Sequence, residues 1–200
     1  GRQRPDYGNG CSVGNGAMIA RALFCQVVDG GSSPTSPLQF RVVEVHMRLA
    51  QRMNRKWHSL LGRTDLGNLL CGNMSSAYAA EYDGMYYAVA IFSQPIVHAC
   101  ADGKTVELRR FAICREAPRN TASRMLAILR RLVKLKFPQL NKIISYLAVD
   151  VHEGIIYRAA GWQPVGKIVA ARPQRLRGSR QRATGPLQTQ SRKQRWEIAL

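Results

Sequence analysis

The chain has 200 residues, with 30 Lys and Arg against 12 Asp and Glu, and 46% of it is apolar. A formal charge of +18 on a chain that can still build a core excludes wholesale disorder and points to a polyanionic partner, nucleic acid first. No apolar run reaches membrane-span length, no secretory leader is visible, and five Cys without a Cys-x-x-Cys pair exclude a zinc ribbon and argue against a disulfide framework; the expectation is a reduced, cytoplasmic protein.

Residues 1–37 read as a flexible N-terminal segment. It is rich in Gly and Asn up to residue 20, has a short strand at 21–29 and a Gly/Ser/Pro linker at 30–37. Residues 38–200 read as a single domain. A strand over 40–45 leads to a helix from His46 to about Leu61, where apolar residues recur at 47, 49, 50, 53, 57 and 60. After a loop at 62–68, two strands at 69–82 and 85–91 turn at Asp83-Gly84, a favoured hairpin dipeptide. A strand follows at 105–114.

The clearest helix runs from Thr121 to Phe137, with Met125, Leu126, Leu129, Leu132, Val133 and Leu135 near one side, Asn120 as N-cap and Pro138 as stop. Then come a buried-type strand at 142–149, a short helix at 154–160 closed by Gly161, and a strand at 162–169. Trp196 and Ile198 alternate in a last strand. The order describes an α/β fold, a mixed sheet with helices on its faces.

The charge is uneven. Residues 171–200 hold Arg172, Arg175, Arg177, Arg180, Arg182, Arg192, Lys193 and Arg195 against Glu197 alone, a net +7. Pro173, Gly178, Gly185 and Pro186 make 171–194 a basic loop rather than a helix, bracketed by strands. A second basic group spans Arg109, Arg110, Arg115, Arg119, Arg124, Arg130, Arg131, Lys134 and Lys136, and a third is Arg48, Arg52, Arg55 and Lys56. Arg130, Arg131 and Lys134 read as the wet side of a helix. Arg115, Arg119 and Arg124 flank a helix start, where backbone N–H groups attract anions.

Three positions suggest chemistry. His58 ends a helix and reads as a general base, a metal ligand or a simple cap. Asp150 and His152 follow a strand end, where α/β folds place sites. With His58 they would make a two-His, one-carboxylate set of the kind that holds non-haem iron; spacing alone does not show this, and a plain surface loop is the alternative. Ser123 and Asn120, at a helix start, are either cap residues or donor-binding residues.

The element order resembles that of the GNAT acyltransferase fold, with a mostly antiparallel central sheet. The segment His152-Glu-Gly-Ile-Ile-Tyr157 through Gly161-Trp162 to Gly166 resembles its last short helix and following strand. Trp57-His58, Glu107-Leu-Arg-Arg-Phe, Asn120-Thr-Ala-Ser-Arg124, Ser145-Tyr146 and His152-x-Gly-x-x-Tyr157 together resemble the phage Mom proteins, over roughly residues 40–170.

That resemblance implies a phage or prophage enzyme that adds a carbamoylmethyl (acetamido) group to adenine N6 in double-stranded DNA and so protects it from restriction. It implies His58, Asp150, Tyr157 and Ser123 as catalytic residues. It implies DNA or donor contacts from Arg109, Arg110, Arg115, Arg119, Asn120, Arg124, Tyr146, Arg172, Arg175 and Arg177. It also implies iron on His58, Asp150 and His152; the sequence leaves open which acyl or glycine-derived donor is used and whether the chain pairs as a homodimer.

There are two departures. The loop 115–123 has no Gly to cradle a coenzyme A pyrophosphate, so ordinary acetyl-CoA binding is not expected. The acid expected close after Ser145-Tyr146 is absent, Ala148 standing there, and its role passes to Asp150. A conventional GNAT N-acyltransferase and a non-catalytic DNA-binding module on the same core are the alternatives.

Overall fold

The computed structural model describes residues 33–58, 74–95, 100, 102–169 and 192–200. A one-turn 3-10 helix at Pro37–Gln39, capped by Ser36, leads into β1 (Arg41–Glu44). α1 (Met47–Trp57) starts at His46, whose imidazole accepts from the Arg48 N–H, and ends at His58. Ala50, Met53 and Asn54 face inward, while Arg48, Arg52, Arg55 and Lys56 are exposed. The expected sites at residues 21–29 and 59–73 lie outside the described residues.

β2 (Ser76–Tyr82) and β3 (Met85–Ser93) are antiparallel, joined where expected by Asp83 and Gly84, both at positive φ (51° and 74°). Met74 and Ser75 precede the strand rather than belong to it. β4 (Thr105–Ile113) continues the antiparallel run.

α2 (Thr121–Lys136) packs Met125, Leu126, Leu129 and Val133 against Val106, Leu108 and Ile143. Each such side chain contributes roughly 1.5–3 kcal/mol by leaving water. Leu135 is exposed, contrary to expectation: six residues beyond Leu129 it has rotated about 240° around the helix. Asn120 holds the cap position in the left-handed region (φ 67°), with no side-chain capping bond. Thr121 Oγ1 instead donates to the Pro118 carbonyl at 2.7 Å.

β5 (Lys142–Ala148), α3 (Ile155–Ala159), β6 (Gln163–Val169) and β7 (Lys193–Ala199) complete the order. The sheet has seven strands in the order β1-β2-β3-β4-β5-β7-β6. Only β4 and β5 are parallel; the other neighbours are antiparallel. α2 and α3 cover one face and α1 the other. The basic segment expected at 171–194 lies outside the described residues up to 191. Its flanks are antiparallel neighbours, Val169 opposite Lys193, so the connection is that of a hairpin.

One feature of the sheet positions everything that follows. The β4–β5 ladder runs from Thr105–Lys142 to Leu108–Ser145 and stops. Beyond it β4 continues to Ile113 on β3, and β5 continues to Ala148 on β7. The sheet therefore divides down its middle.

α3 sits beside this divide because of Gly154. At φ 75° it takes a conformation that side chains avoid, and an added Cβ would lie 2.3 Å from Trp196 Cζ2. Gly161 has a similar φ (79°) but open space around it. Gly154→Ala is therefore expected to cost more than Gly161→Ala by about 2 kcal/mol in urea unfolding, the overpacking component alone. Equal costs would show that Trp196 is not held against Gly154.

Candidate active site at the divide between two strands

On the α2–α3 face, the last rung of the ladder carries a hydroxyl pair. Ser145 Oγ donates to the Leu108 carbonyl at 3.1 Å, and Tyr157 Oη lies 2.9 Å from Ser145 Oγ. A serine has one hydroxyl hydrogen, so with that hydrogen on Leu108 the phenol is the donor of the second bond. Tyr157 is fully packed. Trp196 stacks on its ring at 5.4 Å and 18°, and Trp162 meets it edge-on at 5.2 Å and 67°. Burial raises the Tyr157 pKa, partly offset by the Ser145 bond, so the phenol keeps its proton at neutral pH.

The opposite face is charged. Cross-strand partners share a face, so Arg110, paired with Ile91, and Glu107, paired with Ser93, lie on the α1 side. Tyr146, Lys193 and Arg195 lie there too, because Ser145 and its partner Trp196 point the other way. Arg109 Nη1 reaches both Glu107 carboxylate oxygens at 3.2 Å, the two side chains being only 6% and 9% exposed. Arg110 is buried and gives Nη1 to the Arg109 carbonyl at 2.7 Å.

Burial first, then Arg110 and His152, bring the His58 pKa down to about 4. Burial and Arg109 lower that of Arg110 to about 10. Lys193 is lowered by burial and then Arg110. Tyr146 is raised mainly by burial and bonds Arg195. His58, at the end of α1, thus stays a neutral imidazole within the field of Arg110 and His152.

The structure divides the expected residues into three groups. His58, Arg109, Arg110 and Tyr146 gather on the α1 face, as above. Asn120, Ser123 and Arg124 line a groove of about 500 Å³ with Leu38, Arg131 and Ala159 on the α2–α3 side. Ser123 Oγ donates to the Asn120 carbonyl at 3.2 Å. Arg115 and Arg119 are exposed in the loop before α2. Arg172, Arg175 and Arg177 lie outside the described residues.

The third group is the expected metal set, and it does not assemble. Among the described residues no three His, Cys, Asp or Glu side chains converge. Asp150 is at the surface, bound to Arg192 through its backbone N–H (2.8 Å), Nε (2.9 Å) and Nη2 (2.8 Å). The reason is the strand end: β5 stops at Ala148, and the turn at 149–151 swings Asp150 towards the start of β7. Of the set, His58 and His152 are near each other, and the donors present do not fit a two-His, one-carboxylate site.

The acid at the divide is Glu107 instead, which belonged to a quoted motif without an assigned role. Its signal was available: a carboxylate between Val106 and Leu108 in an alternating strand points away from the α2 core. Lys193 was masked as a site residue by the basic run that precedes it.

Comparison with known proteins agrees with this architecture. An acetyltransferase from Bacillus subtilis solved with CoA shares 14% identity at a TM-score of 0.54, covering 80% of this chain and 99% of its own. A spermidine N-acetyltransferase from Vibrio cholerae, in complex with CoA and spermine, shares 12% at 0.54, covering 81% and 96%. At these identities the likeness shows the GNAT-type fold. A search of the curated proteins finds no match by sequence. Among the described residues no helix is long and apolar enough to cross a membrane. The family model of the Mom proteins matches residues 39–197, and the chain belongs to the Mom protein family.

Proposed function

We propose that this protein is a DNA-modifying transferase that adds a carbamoylmethyl group to adenine N6 in double-stranded DNA. The observation that carries the reading is the divided sheet of a Mom family member, with polar and charged side chains at the divide on both faces. The net charge of +18 and the basic residues 172–195 supply affinity for the phosphate backbone without reading sequence.

In the reaction, adenine N6 forms a bond to the donor carbon as that carbon's bond to its leaving group breaks, and the proton lost from N6 passes to the leaving group or to water. N6 is a weak nucleophile because its lone pair is delocalised into the ring. Access requires the base to leave the stack. Tyr146 is a half-buried aromatic ring on the α1 face, beside the end of the β4–β5 ladder, and is the ring offered to the base. Neutral His58 accepts a hydrogen bond from the N6 amine and orients its lone pair. Tyr157 donates towards Ser145 and holds the divide open at its apex. The groove beside Asn120, Ser123 and Arg124 takes the donor. A conventional N-acyltransferase is the second reading, favoured by the fold alone; the glycine-free loop 115–120 stands against it.

The reading is tested by expressing the protein in bacteria and digesting the DNA to nucleosides for mass spectrometry. A deoxyadenosine adduct of carbamoylmethyl mass is expected, and unmodified deoxyadenosine would overturn the assignment. Tyr157→Phe is expected to cut the adduct at least ten-fold. Its stability cost is only about 1 kcal/mol, because Ser145 keeps its bond to Leu108. Full activity in this variant would remove Tyr157 from the machinery.

His58 makes a separate prediction about pH. Its folded pKa of about 4 lies below the ordinary 6.5, so the unfolded chain binds a proton that the folded chain refuses. This contribution to stability is intact above pH 6.5 and is lost as pH falls towards 4, by up to about 3 kcal/mol. In urea unfolding from pH 7 to pH 4.5, His58→Gln should lose stability less steeply than the unmodified chain. Parallel declines would show that His58 is not held neutral.

A further inference from the structure

Two cations on the α1 face, one buried and one half-buried, have no ion-pair partner among the described residues. Arg110 is 8% exposed, and its Nε has no hydrogen-bond partner. Lys193 is partly buried at the start of β7, opposite Ala148, which lies three residues beyond the end of the β4–β5 ladder at Ser145. Among the described residues no carboxylate lies within ion-pair distance of either. Glu107 is taken by Arg109, and Glu197 by Arg195 at 2.9 Å.

Burying a charge is costly unless a counter-charge or hydrogen bonds compensate it. Here desolvation pulls both groups towards their neutral forms; Arg109 lowers Arg110 further and Arg110 lowers Lys193 further, while Glu107, already bound to Arg109, pulls each back up by less. A fold that keeps such a pair on the two strands beyond the end of the β4–β5 ladder leaves a place for an anion from outside.

We propose that Arg110 and Lys193, with Arg109 beside them, form a pocket for an oxyanion, the phosphate or carboxylate group of a substrate. The chemistry is complementary: the planar guanidinium offers a fixed fork of N–H donors, and the ammonium is a mobile point charge, so one tetrahedral or planar oxyanion satisfies both. Ala148, opposite Lys193, leaves the ammonium free of the carboxylate that the sequence resemblance led one to expect there. The pocket deepens the DNA-modification reading and rests on it for the choice of nucleotide probes.

The test is thermal unfolding of the full chain in inorganic phosphate against chloride matched for ionic strength. Phosphate should raise Tm in a saturable way. Lys193→Gln, at a partly exposed position outside the core, should weaken phosphate binding about ten-fold, the size of one charge-assisted hydrogen bond. Arg130→Gln, an exposed arginine on α2, should leave it unchanged.

Separate titrations with deoxyadenosine 5′-monophosphate, deoxyadenosine and acetate distinguish the sources. Binding of the monophosphate well above the nucleoside assigns the pocket to a nucleic-acid phosphate, and binding of acetate assigns it to a carboxylate donor. No stabilisation beyond chloride, or the same stabilisation in Lys193→Gln, overturns the pocket. A chain that binds no oxyanion but still modifies deoxyadenosine loses the pocket and keeps the enzymatic reading. One that binds phosphate and leaves deoxyadenosine unmodified does the reverse.

Discussion

The structure depends on the point where β4 and β5 part company. A parallel ladder that ends in mid-sheet leaves backbone groups that must find other partners, because buried N–H and C=O groups are expensive to leave unpaired. Ser145 meets that demand at the last rung by donating to the Leu108 carbonyl, and Tyr157 then donates to Ser145. The aromatic cluster exists to hold this phenol: Trp196 and Trp162 enclose its ring, and Gly154 is a glycine because Trp196 occupies the space of its missing Cβ. α3 is too short to be stable by itself and is fixed by that packing.

The divide also explains why a protein of this size tolerates so much buried charge. A hydrophobic core is continuous on the α2–α3 face and supplies most of the apolar burial. The α1 face has a smaller apolar cluster, and beyond it the strands carry Glu107, Arg109, Arg110, Lys193 and Arg195. Replacing such groups with apolar residues of similar volume is often neutral or stabilising in proteins. Their presence is a cost to the fold, and costs of this kind concentrate at functional sites.

Much of the fold was legible in the sequence, and the reasons are local. Asp83-Gly84 makes its hairpin through backbone conformation alone, and the α2 pattern is strong enough to survive without a side-chain cap from Asn120. The site was less legible because its members come from opposite sides of a sheet. His58 and Arg110 are separated by strands, and their proximity appears only when α1 packs across β2, β3 and β4. Asp150 shows how spacing misleads. An acid two residues before a histidine suggested a ligand pair, yet the turn after Ala148 gives Asp150 to Arg192, where it ties the end of the basic segment to β5. Glu107 stood in a motif and alternated away from the core, but only the assembled sheet shows it bound to Arg109.

On the proposed reading, the packing also decides which aromatic ring can meet a base. A base that leaves the duplex stacks on an exposed ring face. Tyr157 has none to offer, because Trp196 covers one side of it and Trp162 abuts its edge. What remains available of Tyr157 is its hydroxyl, which already serves the divide. Tyr146, one residue from Ser145, lies on the other face of the sheet, half-buried and bonded to Arg195. Alternation along β5 therefore separates two tasks between adjacent positions: Ser145 holds the apex from one side, and Tyr146 presents a ring on the other. A one-residue slip of β5 would exchange them, which is why the long antiparallel pairing of β5 with β7, from Lys142–Ala199 to Ala148–Lys193, matters to the chemistry as much as to the fold.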